Sequence, residues 1–380
     1  GHEVDVLCSS GRPDGPTELT GSRVEGIAGT VYAARSAGTL PLVAGDGPVP
    51  GIVPKAIHHG RNVYDPTWRR RAAELIAACR SQVLHTNNLV GLTAAVWVAA
   101  RQAGVPVVHT IRDLHLLCPR TTLQRSDGSV CVDRPLPCRA LSWAKLRYTD
   151  QVDVVTSPTR FNLDRHLTVG AFSRARQVVV PNACEVLPDT VPDRAAHRRV
   201  RAIYLGAMAP YKGVPELLAA FESLLDRPRT DDLELELALA GDGESVPAVQ
   251  ALAARHPGRV HYLGVIRGEA KDRALREADL LVVPSTCLDN FPRVILDAFS
   301  YGLPVIGSDR GGIPEVLHDG EDGLVVPPEP AALAEVLVTL AGDRPRRLAM
   351  GRAGRRRAEG LTVAAQVSRF EAIYTELAGA

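Results

Sequence analysis

The sequence PSTCLDNFPRVILD, residues 284–297, follows an apolar run and precedes the sequence GLPVI at residues 302–306. Both apolar runs have the length and content of buried strands, and the segment between them has helical periodicity. Pro292 suits the first position of that helix, so Asn290 and Phe291 lie at its N-terminal end, where backbone amides lack partners within the helix. This order of strand, loop, helix and strand predicts a parallel β-α-β unit with an anion site at its loop.

The same alternation extends outward from this unit. Strand-length apolar runs alternate with helix-period segments over residues 200–326, and a fainter version of the pattern covers residues 83–180. Short connections of this kind indicate parallel sheets covered by helices on both faces. We therefore predict an α/β chain of two doubly wound, Rossmann-like domains that face each other across a cleft. The polar, proline-containing segment 181–200 is the predicted boundary between an N-terminal domain, residues 1–185, and a C-terminal domain, residues 195–361.

Length and composition exclude several classes of protein. The 380 residues are 45% hydrophobic and 23% charged, which is typical of a globular chain with two domains. The net charge of +1 does not favour nucleic-acid binding. No apolar run has the length of a membrane span, and the N-terminus has no signal-peptide pattern. Seven cysteines, an odd and low number, favour a reducing compartment, and we predict a cytoplasmic protein.

Two glycine-containing loops follow predicted strands of the C-terminal domain. Gly206 begins a loop that ends in Lys212 and a helix start, an arrangement that suits an anion site of helix amides and an ammonium group. The chain contains only four lysines, although a solvated turn lysine is the alternative interpretation. Gly241 and Asp242 form a second loop, where glycine allows a ligand to approach closely. An ordinary strand-to-helix turn is the alternative there.

Two aspartates flank the helix start of residues 284–297. Asp289 lies in the loop at the predicted cleft. Asp297 lies one to two turns into the helix, from where it could accept hydrogen bonds from ribose hydroxyls. A helix cap or a solvated helix face is the alternative for either residue alone. No Asp-x-Asp metal motif lies near a strand end, so no metal cofactor is expected.

The ordered set of motifs closely resembles the family-4 retaining glycosyltransferases of GT-B fold. The set consists of Gly206…Lys212-Gly213, Gly241-Asp242-Gly243, Asp289…Asp297-Ala298, Gly302-Leu303-Pro304-Val305 and Gly311-Gly312-Ile313-Pro314-Glu315, with His109-Thr110-Ile111-Arg112-Asp113 in the N-terminal half. The resemblance implies transfer of a sugar from a nucleotide-sugar donor to an acceptor hydroxyl, with retention at the anomeric carbon. It implies neither a metal nor a covalent enzyme intermediate. It also implies that the C-terminal domain binds the donor, that the N-terminal domain binds the acceptor, and that a final helix within residues 362–380 returns to the N-terminal domain.

The resemblance further implies roles for individual residues. Asp289 would contact the transferred sugar, Asp297 the nucleotide ribose, and Lys212 the donor diphosphate. The remaining residues of the donor site would be Gly206, Gly241, Asp242, Asn290, Phe291 and Pro292. Arg112 and Asp113 would be the catalytic residues of the N-terminal domain.

The sequence departs from the family pattern at several positions. Aspartates replace glutamates at both donor-site positions, which shortens each side chain by one C–C bond, ~1.5 Å. Ala207 replaces the phosphate-binding arginine, and Arg112 replaces a histidine, so Arg112 could supply the missing charge. The family's first strand, glycine-rich loop and helix are expected to precede the start of this chain. The alternative functions are a weak or inactive homologue, acting as a nucleotide-sugar binder or partner subunit, and a nucleotide-sugar 2-epimerase.

Three further segments carry weaker signals. A zinc site is one hypothesis for Cys118, Cys131, Cys138 and His115, with free cysteines as the favoured interpretation. The arginine-rich segment 344–357 and the run Trp68–Arg71 could contact anionic lipid, which would place the protein peripherally at the inner membrane face. Solvated helix faces are the alternative for both.

Overall fold

Two parallel β-sheets, each flanked by helices, organise the two halves of the chain. The computed structural model describes residues 3–9, 18–23, 29–34, 51–125, 128–191, 199–225 and 234–379. The predicted α/β fold with two facing domains is confirmed. The predicted boundary at residues 181–200 lies partly outside the described residues.

The N-terminal half has a four-stranded parallel sheet of order β4-β5-β6-β7 and a separate three-stranded sheet of order β1-β3-β2. In the smaller sheet β1 and β3 are parallel and β2 is antiparallel to β3. The strands are β1 (Val6–Ser9), β2 (Thr20–Arg23), β3 (Thr30–Ala34), β4 (Leu84–Asn87), β5 (Val107–Thr110), β6 (Val154–Ser157) and β7 (Arg176–Val179). The helices are α1 (Ile52–Val63), α2 (Pro66–Ala78), α3 (Ala95–Gln102), α4 (Leu136–Leu146) and α5 (Arg160–Leu167).

The C-terminal half has a six-stranded parallel sheet of order β10-β9-β8-β11-β12-β13. Its strands are β8 (Arg199–Leu205), β9 (Glu234–Ala240), β10 (Val260–Tyr262), β11 (Leu280–Val283), β12 (Val305–Ser308) and β13 (Gly323–Val326). The helices are α6 (Val214–Leu225), α7 (Val246–Arg255), α8 (Gly268–Glu277), α9 (Arg293–Ser300), α10 (Ile313–Val316), α11 (Pro330–Gly342), α12 (Arg344–Gly360) and α13 (Val363–Ala378). The strand order reverses between β8 and β11, and ligands of such sheets bind where neighbouring strands lead to opposite faces.

The last helix, α13, packs against the N-terminal sheet. Phe370, Tyr374 and Leu377 contact a cluster that includes buried Val108 and Val154. The Tyr374 hydroxyl lies 2.5 Å from His85 Nδ1. The chain therefore crosses from the C-terminal sheet back to the N-terminal one.

The structure changes one local detail of α9 and places one side chain in the core. Pro292 is the N-cap of α9 with an extended backbone, so the helix begins at Arg293 and not at the proline. Phe291 packs against the C-terminal core beside α9. Within the described residues, no helix combines the length and the apolar character that a membrane span requires.

Candidate functional site

An ion pair joins the loop after β8 to the loop after β11. Lys212 Nζ lies 2.6 Å from Asp289 Oδ2, and the Ser285 hydroxyl donates to the same oxygen at 3.2 Å. Burial lowers the pKa of Lys212, but the charge and hydrogen bond of Asp289, with smaller effects of Cys287 and Tyr211, raise that pKa above its ordinary value overall. Lys212 is therefore a fixed ammonium group at the carboxyl end of the sheet.

Backbone contacts hold these two loops at a fixed distance. The carbonyl of Tyr211 accepts hydrogen bonds from the amides of residues 286 and 287. Gly213 has a φ of +74°, and a Cβ at this position would overlap the carbonyl oxygen of Pro284. Only glycine satisfies both the left-handed backbone and the close approach. Lys212 therefore supplies the ammonium group, and Gly213 allows the backbone approach that holds it in position.

A second ion pair lies on the neighbouring helices. Lys271 Nζ of α8 lies 2.7 Å from Asp297 Oδ2 of α9, and the two side chains are 38% and 26% exposed. Asp297 comes eight positions after Asp289, and each of the two carboxylates is paired with a lysine. Two of the four lysines in the chain are thus placed on the two predicted donor-site aspartates.

Asn290 links the loop after β11 to the N-terminal half. Its Oδ1 accepts a hydrogen bond of 2.5 Å from the Thr159 hydroxyl, and its Nδ2 donates to the carbonyls of Ile111 and Arg112 at 3.4 and 3.2 Å. The Asn290 side chain is therefore used at the domain junction, whereas the sequence interpretation considered only the backbone amides around it. The junction brings Arg112 next to the loop that carries Asp289.

Glu315 makes a further contact across the junction. Its carboxylate accepts hydrogen bonds from the backbone amides of Arg160 and Phe161, at 2.7 and 2.5 Å. These amides belong to the first turn of α5, where a negative charge is stabilised by the helix dipole. Gly312, three residues earlier, could not carry a Cβ, because it would overlap the Asn290 carbonyl oxygen.

Arg112 is held by asparagines of the N-terminal half. Its Nη1 donates to Asn182 Oδ1 at 2.5 Å, and its Nε and Nη2 lie 3.3 Å from Asn87 Oδ1. Burial lowers the pKa of Arg112, and the nearby Arg293 guanidinium lowers it further. Arg293 itself pairs with Glu185. Two guanidinium groups, those of Arg112 and Arg293, therefore lie near each other at this junction.

Asp113 sits in a buried polar cluster beside Arg112. It accepts hydrogen bonds from Asn88 Nδ2 at 2.6 Å and from the His115 amide at 2.7 Å. The Lys145 ammonium lies 3.1 Å from both His115 Nε2 and the His115 carbonyl oxygen. Burial lowers the pKa of Lys145 to about 8, against the attraction of Asp113, and burial likewise raises the pKa of Asp113. Asp113 is thus anchored by neighbours that fix its orientation.

The two glycine loops lie side by side at the carboxyl ends of β8 and β9. A Cβ on Gly241 would overlap the carbonyl oxygen of Gly206, and the Asp242 carbonyl accepts the amide of Met208 at 2.8 Å. The side chain of Asp242 accepts a hydrogen bond from the Gly243 amide at 2.8 Å, so it stabilises the turn in which it lies. These loops form a backbone platform next to Lys212.

The sequence analysis assigns no role to four groups of this site: Lys271, Ser285, Thr159 and Glu315. Ser285 and Glu315 lie within motif segments that it quotes. The scarcity of lysine could have indicated Lys271, because only four lysines in the chain could pair with the two aspartates. Thr159 is a common polar residue, and nothing in its local sequence distinguishes it from a solvated one.

The weaker sequence signals have structural explanations. Within the part of the chain that the structure describes, no three His, Cys, Asp or Glu side chains form a group that could hold a metal ion, which does not support the zinc hypothesis. Trp68 is fully buried, so it is unavailable to a membrane. Arg347 caps the end of α11, Arg355 donates to carbonyls of Ser300 and Pro188, and Arg357 pairs with Asp322. Several arginines of segment 344–357 therefore stabilise the fold.

Two family models match the two halves of the chain. Residues 1–183 match the model of the glycosyl transferase 4-like domain, and residues 199–343 match that of glycosyl transferases group 1. The chain belongs to a glycosyltransferase family of GT-B fold. Among solved structures, the chain resembles sucrose-phosphate synthase from Thermosynechococcus elongatus, with a TM-score of 0.71, 19% identity, and coverage of 99% of this chain and 89% of that one. It also resembles Anabaena HepE in complex with UDP and glucose, with a TM-score of 0.62, 17% identity, and coverage of 91% and 86%.

Several curated relatives of this chain are bacterial proteins. A phosphatidyl-myo-inositol mannosyltransferase of Mycobacterium leprae is 31% identical over 207 residues, 52% of this chain and 54% of the relative. A D-inositol 3-phosphate glycosyltransferase of Corynebacterium efficiens is 27% identical over 297 residues, 74% of this chain and 68% of the relative. An uncharacterised protein of the cps region of Klebsiella pneumoniae is 23% identical over 262 residues, 69% of this chain and 66% of the relative. The matched regions thus span between about half and two thirds of the relatives' own length.

Proposed function

We propose that this protein is a retaining, metal-independent glycosyltransferase that moves a sugar from a nucleotide-sugar donor to an acceptor hydroxyl. The observation that carries the proposal is the pair of lysine–aspartate contacts, Lys212–Asp289 and Lys271–Asp297, at the carboxyl end of the C-terminal sheet. A nucleotide sugar has hydroxyl groups at both ends and two negative phosphates between them. The two carboxylates of the site could accept hydrogen bonds from the hydroxyl groups at the two ends, and the ammonium groups beside them could attract the phosphates.

The leaving diphosphate poses the main physical problem of the reaction. Its charge grows in the transition state, and fixed positive groups stabilise this change without the cost of reorganisation. Lys212 suits this role, because Asp289 and the backbone around Gly213 already hold it in place. Asp289 keeps one oxygen, Oδ1, for hydroxyls of the transferred sugar. Asp297 would accept hydrogen bonds from the ribose, with Lys271 beside it.

The N-terminal half would complete the site at the acceptor side. Arg112 lies at the junction and would offset the loss of the phosphate-binding arginine at Ala207, since a guanidinium can bind phosphate through two hydrogen bonds. Asp113 would orient the acceptor. A separate enzymatic base is not required, because a phosphate oxygen of the leaving group can take the acceptor proton as the new glycosidic bond forms on the same face. Domain closure would exclude water and limit hydrolysis.

The first test is a thermal-shift screen with UDP-, GDP-, dTDP- and ADP-sugars. A donor present at 100 times its Kd stabilises the folded state by about 2.7 kcal/mol. The stabilising donor is then incubated with an acceptor panel that includes inositol compounds, since relatives are named for inositol acceptors. Retention is read from the anomeric coupling of the product, and metal independence from unchanged rates in EDTA. Binding without transfer or hydrolysis would contradict the proposal and favour a binding-only homologue.

Arg112→Ala tests the replacement of the phosphate-binding charge. We expect weaker donor binding by about tenfold, corresponding to one lost charged hydrogen bond at a partly exposed site. Arg70→Ala is the matched control, because it removes an exposed guanidinium of α2 away from the junction. Unchanged donor affinity in Arg112→Ala would contradict this role.

A further inference from the structure

The segment after Asp113 exposes an unusual set of large apolar side chains. Val132, Leu136 and Trp143 are 82%, 76% and 64% exposed, although apolar groups of this size normally lie in the interior. All three belong to α4 or to the loop before it. The other two tryptophans of the chain, Trp68 and Trp97, are fully buried.

The exposed residues of α4 lie on one face of the helix. Leu136, Arg139, Trp143 and Arg147 recur at helical spacing and are exposed, and the Arg147 guanidinium lies 4.9 Å from the centre of a Trp143 ring. The opposite face carries buried Ser142 and Lys145 and packs on the protein. Residues 136–147 contain no Asp or Glu. We name the outer surface formed by Leu136, Arg139, Trp143 and Arg147 the α4 face.

The composition of the α4 face matches the interfacial region of an anionic bilayer. Tryptophan prefers the headgroup level, where its ring is apolar and its N–H remains wet. Arginine can bury its aliphatic stem while its guanidinium stays among the phosphates. A protein partner of opposite charge would have to cover the same apolar groups with a matching acidic groove, whereas a bilayer supplies both properties everywhere on its surface.

We propose that the α4 face docks this protein onto anionic membrane surfaces, with α4 lying flat at the headgroup level. The eleven residues of α4 extend only about 16 Å, so the helix lies on the membrane and does not span it. The charge of this surface comes from α4 and not from the arginine-rich segment 344–357, several of whose arginines are bound within the fold.

The position of the α4 face links membrane docking to the proposed reaction. A cluster of Leu114, Leu117, Cys118 and Leu123 lies under this segment, and Leu288 of the donor-site loop packs against it. The cleft therefore opens next to the docked surface. This link rests on the proposed transferase function, in which the acceptor would be a hydroxyl compound carried at the membrane surface.

Vesicle binding tests the docking surface without any turnover. Full-length protein is mixed with vesicles of phosphatidylcholine alone or of phosphatidylcholine with phosphatidylglycerol, and the bound fraction is measured by flotation. We expect at least tenfold stronger partitioning to the anionic vesicles. Trp143 is the exposed tryptophan, so brominated lipids should quench its part of the fluorescence and leave the emission of Trp68 and Trp97 intact.

Variants of the α4 face give the decisive comparison. Leu136→Ser with Trp143→Ser should weaken binding to anionic vesicles at least tenfold, and Arg139→Gln or Arg147→Gln should each weaken it about fivefold, as expected for about 1 kcal/mol per basic residue. The matched controls are Val338→Ser and Arg352→Gln, which remove exposed groups elsewhere and should bind like the wild type.

Three results would overturn the docking proposal. The first is a wild-type protein that ignores anionic vesicles, and the second is unchanged binding by variants of the α4 face whose near-UV circular dichroism is native. The third is a dimer that dissociates on Trp143→Ser, which would assign this face to a second copy of the chain. The thermal-shift screen for the donor runs in solution without vesicles, so failure of the transferase proposal is recognised separately.

Discussion

Substitution of Lys212 by methionine tests the role of the ammonium group at the candidate site. Methionine keeps the length and apolar stem of the side chain but removes the charge that lies 2.6 Å from Asp289. An ammonium 3 Å from a phosphate oxygen contributes about 5 kcal/mol at an effective dielectric constant of 20. Lys212 is 26% exposed, so solvent screening reduces this to about 2–4 kcal/mol, and kcat should fall by about 30- to 1,000-fold.

Steady-state kinetics with the donor that gives the largest thermal shift measures this effect. Lys212→Arg keeps the charge and should recover part of kcat. Lys271→Met is the matched control, because it breaks the other lysine–aspartate pair at the nucleoside end. It should raise the KM for the donor and leave kcat within about threefold of the wild type, since little charge develops there. A folded Lys212→Met protein with a kcat near the wild-type value would refute the assignment of Lys212 to the leaving phosphate.

Three further predictions concern stability. Gly213→Ala should lower the free energy of unfolding by about 2–4 kcal/mol in urea titrations, because its Cβ overlaps a backbone oxygen. Gly258 has a similar φ of +80° but open space around it, so Gly258→Ala should lower the free energy of unfolding by only about 1 kcal/mol. Burial lowers the pKa of Lys145 to about 8, so the unfolded chain binds more protons between about pH 8 and 10.4. Wild-type stability relative to Lys145→Met should therefore rise by about 3 kcal/mol over that range, and a flat difference would contradict the burial effect. Glu315→Gln should lower the free energy of unfolding by about 1–2 kcal/mol and separate the calorimetric transitions of the two domains. Glu335 is exposed, so Glu335→Gln should change neither the free energy of unfolding nor the number of transitions.

Much of the fold and part of the candidate site could be predicted from local sequence. Periodicity alone predicts helices at Arg160–Leu167 and Val214–Leu225 and a strand at Leu280–Val283, and the structure shows these same bounds. Apolar runs of strand length and amphipathic segments report their own secondary structure, because burial depends on periodicity within each element. Parallel order then places every strand-to-helix loop at one edge of the sheet, so the positions of Lys212 and Asp289 near the cleft followed from the chain order alone.

The tertiary structure decided which side chains meet. Lys271 and Asp297 lie on different helices, and Glu315 reaches α5 across the domain junction, so neither contact has a signature in local sequence. Residues 68–71 and 139–147 both combine tryptophan with arginine, yet Trp68 is buried and Trp143 is exposed. Composition and periodicity show which face of a helix or strand is apolar enough to be buried. Whether another element covers that face depends on packing between segments that are distant in the sequence. For this chain, the sequence by itself determined the strand and helix order and the edge of the sheet that carries the site. Only the folded structure determined the ion pairs, the domain junction and the exposure of the α4 face.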